Sequence, residues 1–81
     1  MVMDKLTETL ERLKIKAELL LEENKKAFVR DIYDNYYFCE ILIVGEKYIS
    51  FVPFKGKHQG ETITNYWIDI SEIKEYEGER E

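Results

Sequence analysis

The chain has 81 residues, of which 44% are hydrophobic and 36% charged, and its formal net charge is −5. This length suffices for one domain with a thin core and is too short for two. A single cysteine and a single histidine exclude an intrachain disulfide and a zinc site built from cysteine and histidine ligands.

The first part of the chain has the spacing of an amphipathic helix. Apolar residues recur every three or four positions from Met3 to Leu20, and this pattern ends near Asn24. The sequence therefore predicts a helix over residues 1–24. About twenty helical residues extend ~30 Å, which is longer than a small barrel covers, so we expect part of the apolar seam to contact another chain. The alternative is that the whole seam packs within the chain. The candidate interface residues are Leu6, Leu10, Leu13, Ala17 and Leu20.

From Ala27 onward the apolar residues recur with a period of two, which predicts β-strands. The clearest strand, Tyr36–Val44, is apolar on both faces apart from Glu40, so both faces need cover. We expect Glu40 to reach solvent near Lys25 or Arg30. The alternatives are that its charge prevents unwanted edge-to-edge strand pairing, or that it makes a contact across a subunit interface. The predicted strands are 27–32, 36–44, 48–54, 61–68 and 73–76, with tight connections at 33–35 and 45–47, a glycine-containing loop at 55–60 and a sharp turn at 69–71.

The predicted fold class is α+β: an amphipathic N-terminal helix followed by a five-stranded, strongly bent antiparallel small β-barrel. We expect a single domain in which residues 27–77 form the barrel and residues 78–81 form a frayed acidic tail. The longest continuous apolar run, Ile41–Val44, is far too short to span a membrane. The first residues lack the basic and apolar regions of a secretory signal, so we expect a cytoplasmic protein.

The segment Tyr66–Ile73 resembles the strand–turn–strand segment that closes the barrel in the bacterial Sm-like family of RNA-associated proteins. The aromatic residue, the Ile-Ser pair and the final apolar residue match, whereas Trp67 and Ile68 stand where the family has a basic residue and a histidine. The family's strand-2 glycine aligns with Cys39, and its uridine-holding Asp…Asn pair has no counterpart at 45–48. The resemblance implies an Sm-like or SH3-like barrel that binds single-stranded RNA. Related SH3-like and Tudor-like barrels often bind protein instead.

The segment Lys47–Gly60 contains no carboxylate, and its lysines alternate with or lie beside aromatic residues. Lysines can neutralise phosphates and exposed aromatic rings can stack on bases. The alternative is an ordinary surface, with Phe51 and Trp67 in the core, and the acidic pI of 4.9 disfavours strong non-specific nucleic-acid binding. The candidate binding residues, for RNA or for a protein partner, are Lys47, Tyr48, Lys55, Lys57, His58 and Tyr66.

The sequence predicts a protein without enzymatic activity, metal or cofactor. It contains no P-loop, dinucleotide fingerprint or nucleophile elbow. Cys39 lies in the middle of an apolar strand, where cysteine behaves as a small hydrophobic residue. We expect His58 to be solvated in its loop, the alternative being a phosphate contact. The functional prediction is a homo-oligomeric assembly or protein-interaction module; the alternative is an Sm-like binder of single-stranded RNA.

Overall fold

A computed structural model describes the backbone of residues 2–77 and the side chains of residues 8–77, so the predicted tail at 78–81 lies outside the described residues. One helix precedes five strands that form a single antiparallel sheet in the order β4-β3-β2-β1-β5. This confirms the α+β class, and the sheet is not closed, because β4 and β5 are its two edges. The elements are α1 (Val2–Glu22), β1 (Lys26–Asp31), β2 (Tyr36–Val44), β3 (Tyr48–Pro53), β4 (Ile63–Tyr66), a 3₁₀ turn (Trp67–Asp69) and β5 (Ile70–Glu75).

Helix α1 ends in a Schellman motif close to the predicted position. Asn24 adopts the left-handed conformation with φ 60°, which asparagine tolerates better than most residues. The backbone N–H of Lys25 donates to the Leu20 carbonyl at 2.9 Å, and that of Asn24 donates to the Leu21 carbonyl at 3.1 Å. These bonds satisfy carbonyl groups that the end of a helix otherwise leaves unpaired, and they direct the chain into β1.

Between Leu10 and Leu20 the apolar seam of α1 packs within the chain. This agrees with the alternative left open by the sequence rather than with the expected interface. Leu13, Ala17 and Leu20 are buried in the same hydrophobic core as the sheet residues, and Leu10 is partly buried against that core. The helix contacts β2, β5 and the 3₁₀ turn. Because a thin sheet has no other cover for its inner face, these side chains are core residues and are not a free surface. The side chain of Leu6 lies outside the described residues.

Strand β2 has the predicted bounds but contains a β-bulge that the sequence pattern does not reveal. Ile41 and Ile43 pair with consecutive residues of β3, so Leu42 is an extra residue in the ladder. Before the bulge the odd-numbered side chains face the core. After it Val44 packs against the core, and Ile43 is 49% exposed.

Strand β4 begins later and ends earlier than predicted, and β5 begins earlier than predicted. The early end of β4 and the early start of β5 arise because Trp67 turns inward. Trp67 is buried, and its indole N–H donates to the Gly45 carbonyl at 2.9 Å while its backbone N–H donates to the Lys47 carbonyl at 3.0 Å. The 3₁₀ turn therefore starts at Trp67, and the predicted turn at 69–71 is wrong by two residues. A larger residue at position 45 would crowd this hairpin, since a Cβ atom there would lie 3.0 Å from the Tyr48 ring.

The predicted turn at 33–35 is held by one buried carboxylate. Asp31 Oδ1 accepts hydrogen bonds from the backbone N–H groups of Tyr33 and Asn35, both at 2.9 Å, and Oδ2 accepts one from the Asn35 side chain at 3.2 Å. These bonds compensate for the burial of the carboxylate. They also hold Asp34 in the left-handed conformation with φ 73°.

Candidate binding surfaces

The predicted binding residues fall at the two opposite ends of β3. Lys47 and Tyr48 lie where the strand begins, and Tyr66 pairs with Tyr48 across the ladder. The segment 55–58, with the two other lysines and His58, follows the end of the strand. A strand of this length extends roughly 17 Å. The structure therefore divides the predicted site in two.

The first half lies beside a groove between α1 and the β2–β3 hairpin. The groove has a volume of about 360 Å³ and its lining is mostly apolar. Tyr66 and Ile68 are both exposed on its rim. The lining side chains include Leu10, Lys14, Lys47, Tyr66, Trp67 and Ile68.

The second half lines a cleft of about 470 Å³ between the β1–β2 turn and the β3–β4 loop. His58 is half-buried there, with Nδ1 3.0 Å from Glu61 Oε1 and its ring 5.9 Å from that of Tyr37. The prediction of a solvated histidine is thus only partly met, because His58 has a carboxylate and a ring as neighbours. The lining side chains include Tyr36, Tyr37, Phe38, Lys55, Lys57 and His58.

An aromatic cluster on the outer side of the sheet adjoins this cleft. Neighbouring rings in the cluster lie 5.1–5.9 Å apart between centroids, the range expected for tilted and stacked aromatic pairs. We call it the aromatic face. This cluster was not predicted from the sequence. The alternation of inward and outward side chains in β1 and β2 could be read from the sequence, but the register that places the rings of different strands side by side could not. The aromatic face consists of Phe28, Tyr36, Phe38, Phe54 and Tyr76.

Lysine side chains cover the rings of the aromatic face. Lys55 Nζ lies 4.7 Å from the centroid of the Phe38 ring and 3.0 Å from the Tyr76 hydroxyl, to which it donates a hydrogen bond. Lys26 and Lys74 lie over other rings of the face at 5.4 and 5.2 Å. In contacts of this kind the ammonium group lies over the face of the ring, whose quadrupole attracts the positive charge.

Carboxylates pair with two of these lysines, Lys26 and Lys74, and with Arg30. Glu40 pairs with Lys26, its register partner, at 3.8 Å, rather than with Lys25 or Arg30 as predicted. Arg30 pairs with Glu72 at 3.6 Å and with Asp34 at 3.8 Å. These pairs are exposed, so each contributes about 0–1 kcal/mol.

A third surface lies along the free edge of β5. A groove of about 420 Å³ separates α1 from this edge, and Ile15 and Leu19 on its helix side are 53% and 51% exposed. No strand pairs with the outer edge of β5 within residues 2–77. We call this surface the edge groove. It is lined by Arg12, Leu13, Ile15, Lys16, Leu19, Ser71, Glu72 and Ile73.

The hydrogen-bonding groups of the β5 edge follow from its pairing with β1. The Tyr76 N–H donates to the Lys26 carbonyl at 2.9 Å, towards β1. Because the direction alternates along an antiparallel strand, the N–H and C=O groups of Ile73 and Glu75 point away from β1. The edge groove therefore has backbone donors and acceptors beside its apolar side chains.

Cys39 is the one nucleophile suggested by the sequence, and its surroundings suppress its reactivity. Its side chain is fully buried, and burial, with a smaller contribution from the Glu40 charge, raises the pKa of the thiol to about 12. Burial and the Asp31 charge also raise the pKa of Tyr37. In the part of the chain with described side chains, no group of three or more residues is arranged to hold a metal ion.

Comparison of the chain with models of protein families, with curated proteins and with solved structures found no match. Within the described residues, no helix combines the length with the hydropathy that crossing a bilayer requires.

Proposed function

We propose that the chain is a non-enzymatic small β-barrel protein that acts as an assembly module and associates with further copies of itself. The observation that carries the proposal is the edge groove, where large exposed apolar side chains lie next to an unpaired strand edge. An exposed apolar edge of this kind favours strand pairing between chains.

The connection between the two edge strands supports the barrel. In a flat sheet, β4 and β5 would be four strand spacings apart, which is roughly 19 Å. Only the 3₁₀ turn Trp67–Asp69 joins them, and such a turn advances about 2 Å per residue. The sheet must therefore bend strongly to bring its edges towards each other, as a small Sm-like or SH3-like barrel does.

The thinness of the core supports association. Ile15 and Leu19 remain half-exposed although the same helix buries Leu13 and Ala17. Full burial of an aliphatic side chain contributes about 1.5–3 kcal/mol, and domains of this size commonly gain stability from a partner subunit. A second copy that covers the edge groove supplies that burial.

The test is the molecular mass in solution. Light scattering at micromolar concentration should give a defined oligomer, and Ile15→Glu or Leu19→Glu should dissociate it without unfolding the chain, because both side chains are exposed. Leu42→Glu is the matched control, since Leu42 is 47% exposed on a central strand and should leave the mass unchanged. A wild-type chain that is monomeric across this concentration range would overturn the proposal.

A second candidate function, binding of single-stranded RNA, is favoured by the aromatic face and the adjoining cleft. Stacking on aromatic rings and neutralisation of phosphates by lysines are the usual means of binding single strands. Lys55 and Lys57 lie at this end of the sheet, whereas Lys47 lies at the other. The proposed RNA surface is therefore narrower than the set of residues predicted from the sequence.

Labelled oligonucleotides test this candidate. Their affinity should fall steeply as salt concentration rises, and the Lys55→Ala/Lys57→Ala double variant should bind more weakly with a smaller salt dependence. Lys47→Ala is the control and should bind as the wild type does. If neither uridine-rich nor adenine-rich oligomers bind at low salt, this candidate is rejected.

A further inference from the structure

Building on the proposed self-association, we propose that two copies pair through their β5 strands, antiparallel and about a two-fold axis at Ile73. This pairing joins the two sheets into one continuous sheet and places the edge groove of each copy against the other. The partner is a second copy of this chain.

The backbone groups of the β5 edge fit this arrangement. Ile73 directs its N–H and C=O groups away from β1, so two Ile73 residues facing each other across the axis exchange both hydrogen bonds. A two-fold axis requires a self-complementary surface, which an antiparallel edge supplies. Strand β5 also has more residues than β4, the other edge, and lies beside Ile15 and Leu19.

The charges of β5 select the register. Glu72 and Lys74 lie on the same side of the strand, with Nζ 3.7 Å from Oε2. With the axis at Ile73, Glu72 of each copy is opposite Lys74 of the partner subunit. An axis at Glu72 or at Lys74 would place like charges directly opposite each other, which is unfavourable. Of these three registers, only the one centred on Ile73 is both charge-complementary and correctly hydrogen-bonded.

The apolar side of the pair is also complementary. Ile73 is buried under α1, and Ile15 and Leu19 line the same groove while half-exposed. An added strand at the β5 edge lies alongside these side chains. The pairing therefore buries the apolar surface that carries the proposed function.

Reversal of one charge tests the register. Lys74→Glu makes both cross-axis pairs acidic and Glu72→Lys makes both basic, so each variant should dimerise about tenfold more weakly than the wild type. The measurement is the dissociation constant from light scattering over a range of concentrations. The double variant Glu72→Lys/Lys74→Glu restores opposite charges and should recover the wild-type dissociation constant.

A mixture of the two single variants provides the sharpest test. In a mixed pair both Glu72–Lys74-type contacts across the axis join opposite charges. Heterodimers should therefore form at concentrations at which each variant alone is mostly monomeric. The variants also lose contacts to Arg30 and Phe28 within the chain, but mixing does not restore those contacts. Recovery on mixing must therefore come from the pairing.

The outcomes separate the two proposals. A monomeric wild type would overturn self-association and, with it, the pairing. An oligomeric wild type whose mass and dissociation constant are unaffected by either charge reversal would overturn the β5 pairing and leave self-association standing. Weakened single variants that fail to associate when mixed would also overturn the pairing.

Discussion

The two faces of the sheet are stabilised in different ways. The inner face is mainly aliphatic and is covered by α1, with Val29, Ile49 and Phe51 fully buried. The outer side of the sheet carries the aromatic face, whose rings are only partly buried. Lysine ammonium groups lie over four of these rings. The inner face therefore supplies most of the hydrophobic stabilisation. On the outer face, the lysines shield the aromatic rings from water, so the exposure of these rings costs less free energy than it would without the lysines.

The largest expected difference is between matched phenylalanines on the two faces. Phe51→Ala should lower the free energy of unfolding by about 3–5 kcal/mol, because it removes a fully buried ring and leaves a cavity. Phe28→Ala removes a half-buried ring from the outer face and should cost about half as much. Urea denaturation measures both losses. Equal losses would mean that the outer rings contribute as much to the fold as the inner core does.

The inner face should also respond to alkaline pH. The pKa of Cys39 is raised from 9.0 to about 12 in the folded chain, so an unfolded chain releases this proton at lower pH than a folded chain. Stability from this group is complete below pH 9 and falls between pH 9 and pH 12, by up to about 1.4 kcal/mol per pH unit. Denaturation of the wild type and of Cys39→Ala over that range measures the difference. Identical slopes for the two chains would contradict the burial of the thiol.

The smallest expected effect concerns the lysines of the outer face. Lys55→Met keeps the apolar stem but removes the charge over Phe38 and the hydrogen bond to Tyr76, and it should cost about 0.5–1 kcal/mol. Lys57→Met is the control, because Lys57 is exposed in the same loop. Thermal denaturation of both variants compares them. A loss of equal size in the control would show that the ring contacts contribute nothing beyond net charge.

Local patterns in the sequence predicted the elements better than their contacts. The period of the apolar residues gave the bounds of β2 and the end of α1 near Asn24, because both depend on neighbouring residues. The bulge at Leu42 was not predictable, since it exists only relative to β3. Likewise, the apolar seam of α1 showed that this side of the helix must be buried. It did not show that the sheet of the same chain buries it.

The sequence grouped the candidate binding residues only partly as the structure does, because composition does not show which segments are close in space. The lysine and aromatic composition predicted that the loop at 55–58 belongs to a binding region, and the structure places the side chains of Lys55, Lys57 and His58 together in one cleft. Lys47 and Tyr66 were grouped with that loop although a full strand separates them. The predicted length of β3 was enough to show that these two groups of residues lie at opposite ends of a strand. The aromatic face and the edge groove required the register of four strands and the position of the helix, which no single segment encodes.

The hydrogen bond from the Trp67 indole N–H to the Gly45 carbonyl makes Trp67 an intrinsic fluorescence probe of this contact. Trp67 is the only tryptophan, and its indole is buried with its N–H bonded to a carbonyl of the β2–β3 hairpin. Its fluorescence therefore reports on one corner of the fold, where the hairpin meets the 3₁₀ turn. A change in emission that precedes the loss of circular dichroism would reveal that this corner opens before the sheet unfolds.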